Sequence, residues 1–410
     1  MEGLRQFEAK GLEATLLLHT AMQNQAPLFD GTYSPKVSSV SSYEAGDSGK
    51  RSPFWLKATQ RFRKAQSLVA AILSLNPDII IVNDPESCRV LWLSSLLMLR
   101  KPPTFVTFVH GSPFQFVDDL TKYSLIFRRH FADIRKGDSV YREVIPTELP
   151  PITLPKRISL EINCFLKYLA LRHSRYIFVI SQKNRREVEL LYNYSNVIVI
   201  SAGGFSSSDF TYQRRKDMKV AVGIRKRYVI LSICRLVSKK RVDLSVRAFA
   251  ELIRNGQRDD CVMVIAGAGP HESTLRSLAI ELQIENKVEF VGYVPEEQLR
   301  DWYCSCDVFV SADNADHDLS VYMALALGCK VVVSTQYDIP EFLDKVRRFI
   351  FVAEPSIQGF AQTMEKAIRM TPVPLNAADF GELDNMTWER YFQTILSLAE
   401  KLLCANKVTN

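Results

Sequence analysis

The stretch YVILSICRLVSKKRVDLSV, residues 228–246, decides how this 410-residue sequence is read. Tyr228 to Ile233 is a short, nearly continuous apolar run rich in β-branched residues, the pattern of a parallel strand buried on both faces. It stops at Cys234-Arg235, passes a basic turn containing Lys239, Lys240 and Arg241, and resumes at Val242-Asp243 with helical spacing. Strand, tight turn and helix together make half of a parallel crossover unit. Arg235 and Lys240 therefore flank the carboxyl end of a strand, where open α/β sheets bind their ligands. Two cations held there suit a diphosphate, although charge alone suits a solvated turn as well.

The same pattern extends to both sides. Strand-like runs at Ala14–Leu18, Ile79–Val82, Phe105–Val109, Tyr176–Ile180 and Val197–Ile200 precede it. Val262–Ala266, Val288–Val291, Val308–Val310, Val331–Val333 and Phe349–Val352 follow. Helical stretches such as Val242–Arg254, His271–Leu282 and Ser320–Leu327 separate them. Eleven strands alternating with helices predict an α/β protein with two Rossmann-like doubly wound sheets, and the length suits two domains. Ala202-Gly203-Gly204 and Ser206–Ser208 end one series and the basic stretch from Arg214 to Lys219 opens the next, so the linker is placed near 203–214. Residues 31–53 are Ser- and Gly-rich without apolar periodicity and predict a loop. Gly49-Lys50 within them is no phosphate-binding loop, because Arg51 replaces the Ser or Thr and Glu44 the leading Gly.

Composition narrows the function classes. At 47% hydrophobic and 24% charged residues the chain is neither disordered nor fibrous. The longest nearly apolar stretch, Val90 to Leu99, is about half a membrane span and contains Ser94 and Ser95. The opening MEGLRQFEAKG has no signal-peptide core. The eight cysteines are scattered, and Cys304 and Cys306 lack zinc-knuckle spacing, which points to reduced thiols. Residues 1–205 carry 26 Lys and Arg against 18 Asp and Glu, while the remainder is close to neutral. The basic half suits an anionic membrane surface, a phosphorylated lipid or a nucleic acid, or is a mildly biased solvated surface. No nucleic-acid reading motif accompanies it, so nucleic acid is not expected.

Further candidates follow the opening stretch. Val262–Ala266 runs into Gly267-Ala268-Gly269-Pro270, where Gly267 and Gly269 let backbone approach a ligand and Pro270 suits a helix start. Asp307 to Ser311 leads through a polar loop to a helix whose amino end, near Leu319 and Ser320, offers free N–H groups to a phosphate. Arg235…Lys240, Gly267-Ala268-Gly269-Pro270, Val291-Gly292-Tyr293-Val294-Pro295, Asp307-Val308-Phe309-Val310, Leu325-Ala326-Leu327-Gly328 and Ile339-Pro340-Glu341 occur in this order. In that order they resemble the donor-binding domain of GT-B glycosyltransferases, specifically the retaining family 4. Asn76-Pro77-Asp78-Ile79-Ile80 and Thr107-Phe108-Val109-His110-Gly111 resemble strands of the same family's acceptor domain, and Trp388-Glu389 its terminal helix.

The resemblance implies two Rossmann-like domains facing a cleft: 1–205 on the acceptor side, 206–384 for the nucleotide sugar, and a helix at 385–410 returning to the first. It implies a UDP- or GDP-linked sugar as substrate, with no metal and no cofactor. Arg235 and Lys240 would neutralise the diphosphate, and the backbone near Val294 would read the base. The helix terminus at Asp318, Leu319 and Ser320 would meet phosphate, and His110 would hydrogen-bond the transferred sugar. Asp316-His317-Asp318 is read as loop rather than as a metal motif. The acceptor would be a lipid-linked or polysaccharide glycan, handled by a cytoplasmic protein peripheral to the membrane.

The chain departs from the family at three points. The two glutamates of the motif fall on Ala315 and Met323, the latter where the ribose hydroxyls are bound. A glycine is replaced by Asp318, whose carboxylate caps the helix and competes with phosphate. Residues 4–20 match the family's first helix and second strand, so its first strand is expected to be missing. A catalytically silent homologue that binds a nucleotide or a partner is the alternative; an epimerase on the same fold lacks its carboxylates.

Overall fold

The computed structural model describes residues 16–19, 37–40, 80–82, 85–97, 105–109, 124–125, 153–201, 203, 205, 222–223, 228–256, 260–313, 318–370 and 375–408. They form a parallel pair, a four-stranded sheet and a six-stranded sheet. The pair is β1 (Leu16–His19) and β2 (Val37–Val40), aligned so that Leu16 faces Val37. β2 corrects the expectation of an unbroken loop over 31–53. Val-Ser-Ser-Val is too short to show periodicity, and only the parallel partner at 16–19 supplies its ladder.

The four-stranded sheet runs β3 (Ile80–Val82), β4 (Phe105–Val109), β5 (Tyr176–Val179) and β6 (Val197–Val199), all parallel. Helices α1 (Pro85–Leu97), α2 (Leu154–His173) and α3 (Gln182–Tyr192) connect or flank these strands. Neighbouring residues of a strand point to opposite faces. Phe105 and Val109 accordingly pack with Cys88, Leu91, Cys164 and Leu171, while Val106 and Phe108 turn to the other side.

The six-stranded sheet has the order β12-β11-β10-β7-β8-β9. Its strands are β7 (Tyr228–Ile233), β8 (Cys261–Ala266), β9 (Val288–Gly292), β10 (Val308–Ser311), β11 (Lys330–Ser334) and β12 (Ile350–Ala353). Between them lie α4 (Val242–Gly256), α5 (Glu272–Glu281), α6 (Glu296–Ser305) and α7 (Leu319–Ala326). α8 (Ile357–Arg369), the short α9 (Ala377–Leu383) and α10 (Trp388–Val408) complete the chain. Val229, Leu231, Val262 and Val264 enter one apolar cluster; Ile230, Cys261, Met263 and Ile265 enter the other. Both faces are covered, which is why these strands read as unbroken apolar runs.

α10 closes the remaining face of the four-stranded sheet: Ile395, Tyr391 and Phe392 pack with Val106, Phe108 and Phe178. Phe205 bridges Thr387 in parallel, and the Trp388 N–H donates to the Phe205 carbonyl at 2.9 Å. Cys88, Cys164, Cys234, Cys261, Cys304, Cys306 and Cys329 are not in disulfides.

Candidate functional site

The strand order turns back between β7 and β10: the chain proceeds outward through β8 and β9, then returns to the far side of β7. The carboxyl ends of these two strands flank a crevice by topology alone. The turn after β7 delivers Lys240 to it, the end of β10 delivers Ser311, and the chain beyond delivers Asp313 and Asp318.

Lys240 ends a 3-10 turn at Ser238–Lys240 that closes on Arg241 in the left-handed region, φ 49°. Its ammonium lies 2.6 Å from Asp313 Oδ2 and 3.4 Å from Asp318 Oδ2. All three side chains are withdrawn from solvent: Asp313 is 4% and Asp318 6% exposed. Burial opposes the ammonium, but the Asp318 and Asp313 carboxylates outweigh it and hold Lys240 above the ordinary lysine range. Burial likewise pushes the Asp313 carboxyl up, against the pull of Lys240. It pushes the Cys234 thiol beside them up to about 12.

Asp318 is the N-cap of α7. Its Oδ1 accepts from the Ser320 N–H at 3.1 Å, and its Oδ2 accepts from Ser311 Oγ at 3.2 Å besides Lys240. The Asp318 backbone N–H donates to the Tyr337 hydroxyl at 3.2 Å. The positive end of α7 and the nearest lysine therefore both face a carboxylate of the chain itself. The cap expected of Asp318 is thus in place. Leu319 is exposed and Ser320 half-buried beside it.

The other sequence candidates are distributed unevenly. Arg235 stands on the β7 turn with an exposed side chain, as a phosphate contact requires. Gly267 and Gly269 do something other than admit a ligand. A Cβ on Gly267, at φ +133°, would lie 1.9 Å from the Cys234 carbonyl oxygen, and one on Gly269 2.3 Å from that of Leu236. The glycines let the β8 turn nest on the β7 turn, through Leu236 N–H to the Ala268 carbonyl and His271 N–H to the Leu236 carbonyl, each 3.0 Å. Val294 is a buried side chain just past β9. Met323 is half-buried against the apolar cluster under α7, a packing position with no group for a ribose hydroxyl. His110, Ala315, Asp316, His317 and the linker residues 206–214 lie outside the described residues.

Sequence reading passed over Asp313, Ser311 and Tyr337. Asp313 had one usable signal: a carboxylate two residues past a buried strand that ends at the crevice. A further carboxylate, Asp338, accepts from the Lys183 N–H at 3.0 Å, at the amino end of α3.

Comparison with known proteins fits this geometry. The profile of the glycosyl transferases group 1 family matches residues 214–382, which span the six-stranded sheet and its helices. The chain carries this match over somewhat less than half of its length. It is 24% identical over 210 residues to an uncharacterized glycosyltransferase of Methanocaldococcus jannaschii, covering 50% of this chain and 53% of that protein. It is 26% identical over 163 residues to the alpha-monoglucosyldiacylglycerol synthase of Streptococcus pneumoniae, covering 39% and 36%. The chain thus spans about half or less of the length of these curated relatives. Among solved structures, sucrose-phosphate synthase from Thermosynechococcus elongatus superposes with a TM-score of 0.70 at 14% identity, over 98% of this chain and 92% of that one. HepE from Anabaena, in complex with UDP and glucose, gives 0.60 at 13% identity, over 94% and 91%. The architecture is GT-B. The crevice at β7, β10 and α7 lies within the matched segment.

Proposed function

We propose that the chain is a retaining, metal-independent hexosyltransferase that moves a sugar from a UDP- or GDP-linked donor to a lipid-linked or surface glycan. The observation that carries this reading is that Lys240 and the amino end of α7 meet at one crevice inside the segment that matches the group 1 glycosyltransferases, with Arg235 on the turn just after β7. Cations and helix N–H groups stabilise a departing diphosphate, because its negative charge grows as the bond to the sugar breaks. The HepE structure was solved with UDP and glucose, which supports a nucleotide-sugar donor. The S. pneumoniae relative is named for a diacylglycerol product. A 34% identical segment of 95 residues belongs to a GDP-mannose-dependent phosphatidylinositol monomannoside mannosyltransferase of Mycolicibacterium smegmatis; both support a lipid acceptor. No described helix is long and apolar enough to cross a membrane, and we place the protein peripherally at the cytoplasmic face.

One observation favours a second reading, a silent homologue that binds a nucleotide or a partner. Lys240 is already paired with Asp313 and Asp318, and Met323 offers the ribose nothing. Calorimetric titration with UDP and GDP, followed by a donor-hydrolysis assay, separates the two. In the enzyme reading Arg235→Ala weakens nucleotide binding about tenfold or more. His110→Ala abolishes sugar transfer and leaves nucleotide binding intact. Nucleotide binding without donor turnover would establish the silent homologue, and absence of both would end the donor-site assignment.

A further inference from the structure

α2 is apolar on both sides. Its inner side buries Cys164, Ala170 and Leu171 against the four-stranded sheet and α1, with Arg89 Nη1 donating to Asn163 Oδ1 at 3.1 Å. A helix packed on one side normally turns polar residues to water. α8 does so, burying Phe360, Met364 and Ile368 and exposing Gln362, Lys366 and Arg369. The outer side of α2 instead carries Leu154, Ile158, Ile162 and Phe165, exposed by 70%, 52%, 53% and 50%. At 100° per residue these fall within about 80° of arc and along about 17 Å of axis, one continuous stripe. Leu125, 53% exposed, adjoins it, because its N–H donates to Glu161 Oε1 at 2.8 Å. An open depression follows Leu154, Ile158 and Ile162.

Charge says what covers the stripe. α2 carries Lys156, Arg157, Lys167 and Arg172 against the single acid Glu161. The Glu161 carboxylate is taken up by the Ser124 hydroxyl at 2.7 Å and the Leu125 N–H. On the same wheel Arg157 in the first turn flanks the stripe and Arg172 in the last lies in line with it, so a cation stands at each end of the stripe, while Lys156 and Lys167 lie on the opposite side. Four half-exposed side chains fall short of the roughly 800 Å² per partner that a stable protein interface takes. An apolar stripe with a basic surround is the make-up of a helix lying in a bilayer interface.

We propose that the outer face of α2 seats in the interface of an anionic bilayer. Leu154, Ile158, Ile162 and Phe165 lie at the level of the first acyl carbons, and Arg157 and Arg172 meet headgroup phosphates. The proposal deepens the reading of a lipid-directed transferase by naming the surface on which the protein works.

The test uses the full chain and vesicles of phosphatidylcholine with about 30% phosphatidylglycerol, in a flotation assay. The unaltered protein floats with these vesicles, far less with pure phosphatidylcholine, and less again in about 0.5 M salt. The double variant Ile158→Asp, Ile162→Asp loses at least about tenfold in partitioning, with an unchanged melting temperature because both sites are exposed. As a second measurement, Ile162→Trp gains a fluorescence component quenched by brominated lipid. Undiminished flotation of the double variant, or an unquenched tryptophan at 162, would overturn the proposal. So would a dimer that the double variant dissolves, since the stripe would then bind a second copy. UDP titration runs in parallel: nucleotide binding without flotation overturns this surface alone, whereas flotation without nucleotide binding supports it and counts against the donor site.

Discussion

Asp318→Asn should turn a weak nucleotide site into a stronger one. An incoming diphosphate must draw Lys240 away from the Asp318 carboxylate and then approach a helix terminus that already holds negative charge. The carboxylate stands 3.4 Å from the Lys240 ammonium. At that distance, and with an effective dielectric constant of about 20, a pair of unit charges interacts by roughly 5 kcal/mol. Ion desolvation and the water reaching Lys240, which is 14% exposed, reduce the part available to binding. A charge-assisted hydrogen bond of about 1.5–3 kcal/mol is the appropriate scale. Removing the charge should therefore tighten UDP binding by roughly 10- to 150-fold. Asparagine is the informative replacement because its side-chain oxygen still accepts from the Ser320 N–H and keeps the cap. Lys240 also keeps Asp313 at 2.6 Å, so the fold should persist and the melting temperature change little. Calorimetric titration with UDP, with thermal melting as control, reads both quantities. A folded Asp318→Asn protein that binds UDP no better than the parent would refute the reasoning, since the carboxylate would then not be what keeps phosphate out.

Two further predictions concern the same crevice. Lowering the pH through the raised value of the Asp313 carboxyl should strengthen binding of a UDP-sugar, whose diphosphate is esterified at both ends and keeps its charge, as the carboxyl takes a proton and releases Lys240; Asp313→Asn should flatten the profile. The stability term has the matching sign: with the folded value above the unfolded one, Asp313 contributes most at low pH and loses that contribution as pH rises through the raised value. Gly267→Ala should destabilise by at least about 3 kcal/mol in chemical denaturation, because the new Cβ would meet the Cys234 carbonyl oxygen at 1.9 Å with φ at +133°. A variant of wild-type stability would mean that the two turns can separate without cost.

The six-stranded sheet was legible because burial on both faces leaves a local mark. Val331 to Val333 and Val262 to Ala266 are apolar without interruption, and the structure puts them in β11 and β8 with ends shifted by a residue. β2 left no such mark, since two of its four residues are serines and its partner lies about twenty residues earlier. The ion pairs at the crevice left no mark in the sequence. Lys240 and Asp313 are 73 residues apart, and they meet because β7 and β10 are neighbours, a fact of topology that no local pattern carries. Gly267 and Gly269 were read as openings toward a ligand. Their crowding comes from Cys234 and Leu236 on the adjacent turn, which the sequence does not place beside them. Asp318 was read correctly as a cap, because a cap depends only on the two residues that follow it.

The return of α10 to the four-stranded sheet also orders the events of synthesis. Strands β7 to β12 and α8 form one contiguous stretch, from Tyr228 to Arg369, that can bury both of its faces as soon as it has left the ribosome. The earlier sheet cannot. Among the described residues, Val106, Phe108 and Phe178 receive their cover on one side from Tyr391, Phe392 and Ile395, more than two hundred residues after Phe178. The half translated first is thus the half that finishes folding last, and for that interval its apolar face is open to chaperones, to aggregation and to any surface nearby.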